Sequence, residues 1–108
     1  MEPNFAHPVE REVARIFDDL GIAWEYEPVT FVLERNADGS VAEAFTPDFY
    51  LPEQDIYVEC TTMRQRLTAK KNRKLRKLRE QGVMVTVLYR RDFERLRERH
   101  GFPFDLAA

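Results

Sequence analysis

A single cysteine, Cys60, stands in a chain of 108 residues. That excludes an intrachain disulfide and a zinc cluster built from cysteines. The two histidines, His7 and His100, are too few and too far apart in sequence to form a metal motif by themselves. No apolar run approaches the ~20 residues that a membrane-crossing helix needs. The opening "MEPNFAHPVEREV" has neither the basic start nor the apolar stretch of a secretory signal. These absences point to a cytoplasmic protein with no membrane partner. Bases are scarce as well, but only at first: residues 1–60 contain three, against 14 acids.

The remainder reverses that balance. Residues 61–108 carry 14 bases and five acids, so a half at −11 and a half at +9 hide behind a formal net charge of −2. Nine bases and no acid lie between Arg64 and Arg79. Such a block is an electrostatic footprint for phosphates. It is equally what a solvated helix presents when it pairs with an acidic half of its own chain. With 44% hydrophobic and 33% charged residues, the composition is that of a globular protein. Its length suits one domain over residues 1–108.

Periodicity divides the chain into elements. In "HPVEREVARIFDDLG", the residues Val9, Val13, Ile16, Phe17 and Leu20 form one stripe of an amphipathic helix. Pro8 fits its first position and Gly21 its stop. Ile22, Trp24 and Tyr26 alternate as in a strand, which Pro28 restricts to an edge, an end or a bulge. "TFVLER" resumes the extended pattern, and "NADGS" reads as a turn. Further strands are expected around "AFTPDFYL" and "DIYVECTT", joined by short connections as an antiparallel meander. "LTAKKNRKLRKLREQG" is a helix, with Thr68 as N-cap and Gly82 as stop. "VMVTVLY" has the continuous apolar character of a strand buried on both faces. Strand, crossover helix and strand make a parallel unit, right-handed by the usual rule. A short helix in "RDFERLRERHG", starting near Asp92, precedes the tail "FPFDLAA". The expected class is α/β with a mixed sheet, in the order α-β-β-β-α-β-α.

One stretch, "TPDFYLPEQDIYVECTTM" at residues 46–63, carries acids inside strand-like runs. Alternation puts Ile56, Val58 and Cys60 on one face, and Tyr57, Glu59 and Thr61 on the other, which a helix should cover. A lone buried carboxylate is costly unless it is paired, protonated or metal-bound. If the two strands form a hairpin, Asp48 and Glu59 lie side by side and repel unless a cation sits between them. Magnesium suits such a place, with hard oxygen ligands and several retained waters. The plainer reading has Asp48 capping a turn after Pro47 and Glu59 pairing with a base of the next helix. Cys60 reads as a small core residue, and Trp24, Tyr26 and Phe31 read as core rather than base-stacking platforms.

"TPDF" followed by "YVECT", in an α-β-β-β-α-β order, resembles the PD-(D/E)XK nuclease superfamily, which is restriction-endonuclease-like in fold. The likeness runs from Pro8 to about Leu96. It implies a magnesium-dependent endonuclease acting on DNA phosphodiesters, with manganese able to substitute. On that resemblance Asp48 and Glu59 are metal ligands, the Cys60 carbonyl is a third, and Glu10 matches the first-helix glutamate that holds the metal directly or through water. Glu10 read alone is a residue in a first helical turn that reaches back to cap it. This chain departs from the pattern at Thr61, where the superfamily has a lysine that positions the attacking water. Either the domain is inactive and only binds nucleic acid or a protein partner, or a base arrives from elsewhere. Some members supply it from the following helix. Taking about 100° per residue, Leu67, Leu75 and Leu78 form that helix's apolar stripe, and Lys71 falls inside it. Lys71 is therefore the candidate for the displaced catalytic lysine, the alternative being a side chain that snorkels to solvent. Arg64, Arg66, Lys70, Arg73, Lys74 and Lys77 are candidates to track a DNA backbone. So small a core implies a homodimer, or a partner protein, to supply specificity.

Overall fold

The structure is a computed structural model that describes residues 3–61 and 69–98. Helix α1 (Pro8–Asp19) begins with Pro8 in its first turn, where the missing N–H has no helical partner to lose. It ends at Gly21, with φ 72°, and Ile22 N–H donates to the Phe17 carbonyl at 2.8 Å. That 6→1 closure requires a left-handed residue just past the helix, which glycine adopts without strain. Six strands and two further helices follow: β1 (Glu25–Tyr26), β2 (Phe31–Arg35), β3 (Val41–Phe45), β4 (Phe49–Leu51), β5 (Ile56–Cys60), α2 (Ala69–Glu80), β6 (Val85–Leu88) and α3 (Arg90–Arg97).

Four strands form a mixed sheet in the order β1-β4-β5-β6, and β2 pairs with β3 in a separate two-stranded sheet. β1-β4 and β4-β5 are antiparallel, and β5-β6 is parallel. The α/β class and the parallel crossover through α2 agree with the sequence. Two expected strands are broken, and each break falls at a proline. Pro28 separates β1 from β2, and Pro47 separates β3 from β4. Neither residue can donate to a ladder. The halves nevertheless continue one bent hairpin. Phe31 faces Phe45, the Thr30 and Thr46 hydroxyls meet at 2.7 Å, Glu27 N–H donates to the Asp48 carbonyl at 2.9 Å, and Tyr26 faces Phe49. The bend is why one meander becomes two sheets. Ile22 and Trp24 pack against the core, but the paired strand begins only at Glu25.

Two other boundaries differ from expectation. α3 starts at Arg90 rather than near Asp92, because Asp92 caps the helix from within its first turn. Its Oδ2 accepts the Tyr89 N–H and its own N–H donates to the Tyr89 carbonyl, both at 2.8 Å, a reciprocal cap. β6 is not buried on both faces along its length. It ends the sheet order, so Val85 and Leu88 are buried, Thr86 and Val87 are half-buried, and Met84 is 64% exposed. The expected Thr68 N-cap, Leu67 of the helical stripe, and the tail lie outside the described residues.

A hydrophobic cluster covers each face of the sheet. On one face, Val13, Ile16 and Phe17 of α1 and Phe93 and Leu96 of α3 pack on Phe49, Leu51, Ile56, Val58, Cys60 and Leu88. On the other, Leu75 and Leu78 of α2 pack with Leu33, Val85, Tyr57, Phe31 and Phe45. The alternation in β5 thus sends Ile56, Val58 and Cys60 to the α1 side and Tyr57 to the α2 side, as its period of two requires. Gly82, with φ 86°, closes α2 as Gly21 closes α1. Among the described residues no helix is long and apolar enough to cross a membrane.

Leu78 is fully buried and seats the helix that carries the basic block. Leu78→Ala is expected to lower stability by about 2–5 kcal/mol. Met84→Ala, at an exposed position, should stay within about 0.5 kcal/mol. Urea unfolding of the two variants checks both.

Candidate functional site

Asp48 follows Pro47 at the point where the bent hairpin re-enters the main sheet. Phe49 pairs with Val58, so one step back along β4 places Asp48 opposite Glu59. The register then pins each carboxylate to the other strand's backbone. Cys60 N–H donates to Asp48 Oδ2 at 2.8 Å, and Asp48 N–H donates to Glu59 Oε1 at 3.2 Å. Asp48 is 9% exposed and Glu59 6%. Glu27, whose N–H is held by the Asp48 carbonyl, sits at φ 44°. That left-handed conformation costs a non-glycine residue roughly 1–2 kcal/mol.

Two carboxylates this close and this dry cannot both be comfortable as anions. Burial, then the charge of Glu59, pushes the Asp48 carboxyl up from 3.8 to about 8, with Glu10 adding to the rise. Burial raises Glu59 too, opposed by the hydrogen bond and charge of Lys71. Among the described residues Lys71 is a cation that reaches the pair: its Nζ lies 2.7 Å from Glu59 Oε2, and its side chain is 29% exposed. The inward stripe of α2 therefore carries Lys71 toward the carboxylates rather than to solvent. Thr61 is 2% exposed, and its N–H donates to the Leu88 carbonyl at 2.9 Å. Cys60 is a buried core thiol, raised well above its ordinary value by burial first and by the nearby acids second.

Glu10 enters from α1. It is 5% exposed and near enough to raise Asp48 electrostatically. Its Oε1 accepts the Tyr26 hydroxyl at 2.5 Å, and Glu10 lies in the first turn of α1, whose N-cap residue His7 makes no side-chain cap bond. The position of Tyr26 in the core was legible; its role as donor to Glu10 was not.

The oxygens present suit a hard cation in kind: two facing carboxylates and, beside them, the Cys60 backbone. Among the described residues, no group of three or more His, Cys, Asp or Glu side chains is placed to hold a metal ion. A centre here would rest on the Asp48–Glu59 pair and on waters, as magnesium tolerates.

The basic block divides into separate groups. Arg64 and Arg66 lie outside the described residues. Arg73 pairs with Glu43 at 2.6 Å, and Lys77 pairs with Glu34 at 2.9 Å and Glu43 at 3.1 Å. Lys74 Nζ donates to the Ala44 carbonyl at 3.1 Å. These three bind α2 to the β2–β3 hairpin, so a phosphate at any of them competes with a contact inside the chain. Lys70 is exposed. Together with Lys71, Lys74, Glu59 and Phe45 it lines a cleft of about 320 Å³. Glu43 was missed in the sequence, although an acid between two alanines in "VAEAF" faces a chain whose nine clustered bases need partners. No protein-family model, curated protein or solved structure matches the chain.

Because the folded protein keeps a proton on Asp48 that the unfolded chain releases, the folded state binds more protons between about pH 4 and pH 8. Stability of the metal-free protein is expected to fall as pH rises through that window. Asp48→Asn keeps an acceptor for the Cys60 N–H and removes the charge. It should stabilise the metal-free protein at pH 7 by about 0.5–2 kcal/mol and flatten the pH dependence. Urea titrations at pH 5, 7 and 8 read both effects, and a loss of stability in the variant would mean that the carboxylate is a well-paired structural anion.

Proposed function

We propose that this chain is a magnesium-dependent endodeoxyribonuclease of the restriction-endonuclease-like type, hydrolysing DNA phosphodiester bonds, with branched or otherwise structured DNA as a candidate substrate. The observation that carries the reading is the 2.7 Å approach of Lys71 Nζ to Glu59 Oε2, beside a facing Asp48. A buried acid pair with one lysine aimed at it from the next helix is an expensive arrangement for structure alone. It supplies groups that metal-assisted hydrolysis of a phosphodiester can use.

The roles follow from position. Asp48 and Glu59, with the Cys60 carbonyl, would hold Mg²⁺, for which Mn²⁺ could substitute. Glu10, held off by Tyr26, acts on the centre through water. When bound, the metal lowers the pKa of a coordinated water and neutralises charge on the phosphate. Lys71 orients the attacking water and offsets the charge that develops on the scissile group, taking the part the superfamily gives to the lysine replaced here by Thr61. Lys70, exposed at the cleft mouth, meets the substrate backbone. Lys74, Arg73 and Lys77 contribute only by exchanging their hairpin contacts for phosphates. Specificity beyond the backbone comes from a second copy of the chain or from a partner protein.

A second reading is favoured by Thr61 and by the internal pairing of Arg73 and Lys77: a nuclease-like domain that binds nucleic acid, or a protein, without cutting. Nicking of supercoiled plasmid and of four-way junctions in Mg²⁺ or Mn²⁺ separates the two. Asp48→Asn and Glu59→Gln should abolish nicking. Lys71→Met should slow it by roughly 10²–10³-fold while leaving melting within a few degrees. Nicking that survives both carboxylate changes would falsify the metal-site reading; full activity in Lys71→Met alone removes only the role of Lys71.

A further inference from the structure

Tyr26 lies on β1, the strand beside β4, yet its hydroxyl points across to helix α1. It donates to Glu10 Oε1 at 2.5 Å and accepts the Ala6 N–H at 3.0 Å. The ring is fixed by edge contacts, at 4.8 Å between centroids with Phe5 and 5.6 Å with Phe49. Phe49 is the residue next to Asp48 and packs edge-on against Phe17 of α1 at 5.5 Å. One rigid aromatic group therefore spans the strand that carries Asp48 and the helix that carries Glu10. Backbone ties strengthen the link, because Tyr26 pairs with Phe49 and Glu27 N–H bonds the Asp48 carbonyl.

The Glu10 carboxylate stands in the first turn of α1 and accepts the Tyr26 hydroxyl. It is 5% exposed and near enough to Asp48 to act on it electrostatically. A dry carboxylate that acts on a neighbouring acid pair and is gripped by a phenol could serve as an outer-shell group around a metal centre. Outer-shell hydrogen bonds set the orientation of metal-site carboxylates and strongly affect affinity.

We infer that Tyr26 is a positioning residue for a divalent-metal centre at Asp48–Glu59: its hydroxyl holds Glu10 where that carboxylate orders metal-bound water. The inference rests on the metal-site reading above. It assigns Tyr26 a part beyond core packing, and it makes the pair Tyr26–Glu10 one functional unit. Phe5 and Ala6 belong to it indirectly, as the segment that seats the phenol.

Calorimetric titration of the intact protein with Mn²⁺, in the absence of DNA, tests this. Tyr26→Phe preserves the ring and its aromatic contacts and removes only the hydroxyl. It should weaken Mn²⁺ binding by about 10–100-fold, and Glu10→Gln should do the same. The double variant should bind as weakly as either single one, since both remove the same contribution. Tyr26→Phe with unchanged Mn²⁺ affinity, or a double variant whose losses multiply, overturns the inference. A lowered melting temperature without a change in affinity does so as well, since it leaves Tyr26 a structural role only. Asp48→Asn serves as the reference. If it abolishes Mn²⁺ binding while Tyr26→Phe has no effect, the metal site stands and the Tyr26 assignment falls. If Asp48→Asn binds Mn²⁺ like the unaltered chain, both fall.

Discussion

The two carboxylates of Asp48 and Glu59, facing each other out of water, are the constraint around which the rest of the structure is arranged. Each is held by the backbone of the opposite strand, so neither can swing away from the other. Such a pair is tolerable only with a proton shared into it, a cation beside it, or both. The raised Asp48 carboxyl supplies the first remedy and Lys71 the second. Both remedies depend on α2 lying over this face of β5, which the packing of Leu75 and Leu78 secures.

The breaks in the strands serve the same end. Pro47 separates β3 from β4, and Asp48 just after it turns its carboxylate to the Cys60 N–H while its carbonyl still accepts the Glu27 N–H. Pro28 interrupts the opposite strand at the matching point, and Glu27 takes a left-handed turn there. The hairpin therefore bends. Its far half leaves the main sheet and leans on α2, where Glu43 and Glu34 meet Arg73 and Lys77. Much of what looked like a free basic surface is thus a seam between hairpin and helix. Three bases converging on one hairpin set its position, and one of them, Lys74, lines the cleft over Glu59.

Much of the geometry of the candidate site was legible in the sequence. Alternation in "DIYVECT" placed Glu59 with Tyr57 on the helix-covered face. The 3.6-residue stripe placed Lys71 inward, and the structure puts its ammonium on Glu59. Less legible were the boundaries. A proline inside an apolar run announces a break but not whether the chain resumes in the same sheet. The last helix was expected to start near Asp92; it starts at Arg90, and Asp92 caps it from inside the first turn. Tyr26 was taken as core, and its ring is core; the hydroxyl's partner lies sixteen residues away on another element.

The sequence by itself determined the periodicities, and with them which side chains share a face: two acids on adjoining strands, one lysine on the inward side of the next helix, and glycines where helices end. These follow from local backbone geometry, which repeats every two or 3.6 residues whatever the remainder of the chain does. Only the tertiary structure decided which faces meet. It set the 2.7 Å between Lys71 and Glu59, gave Glu10 to Tyr26, and committed Arg73 and Lys77 to Glu43. Those contacts join residues from 12 to 34 positions apart. Their distances are set by the bend of the hairpin and the seating of α2 on the sheet, which no local pattern encodes.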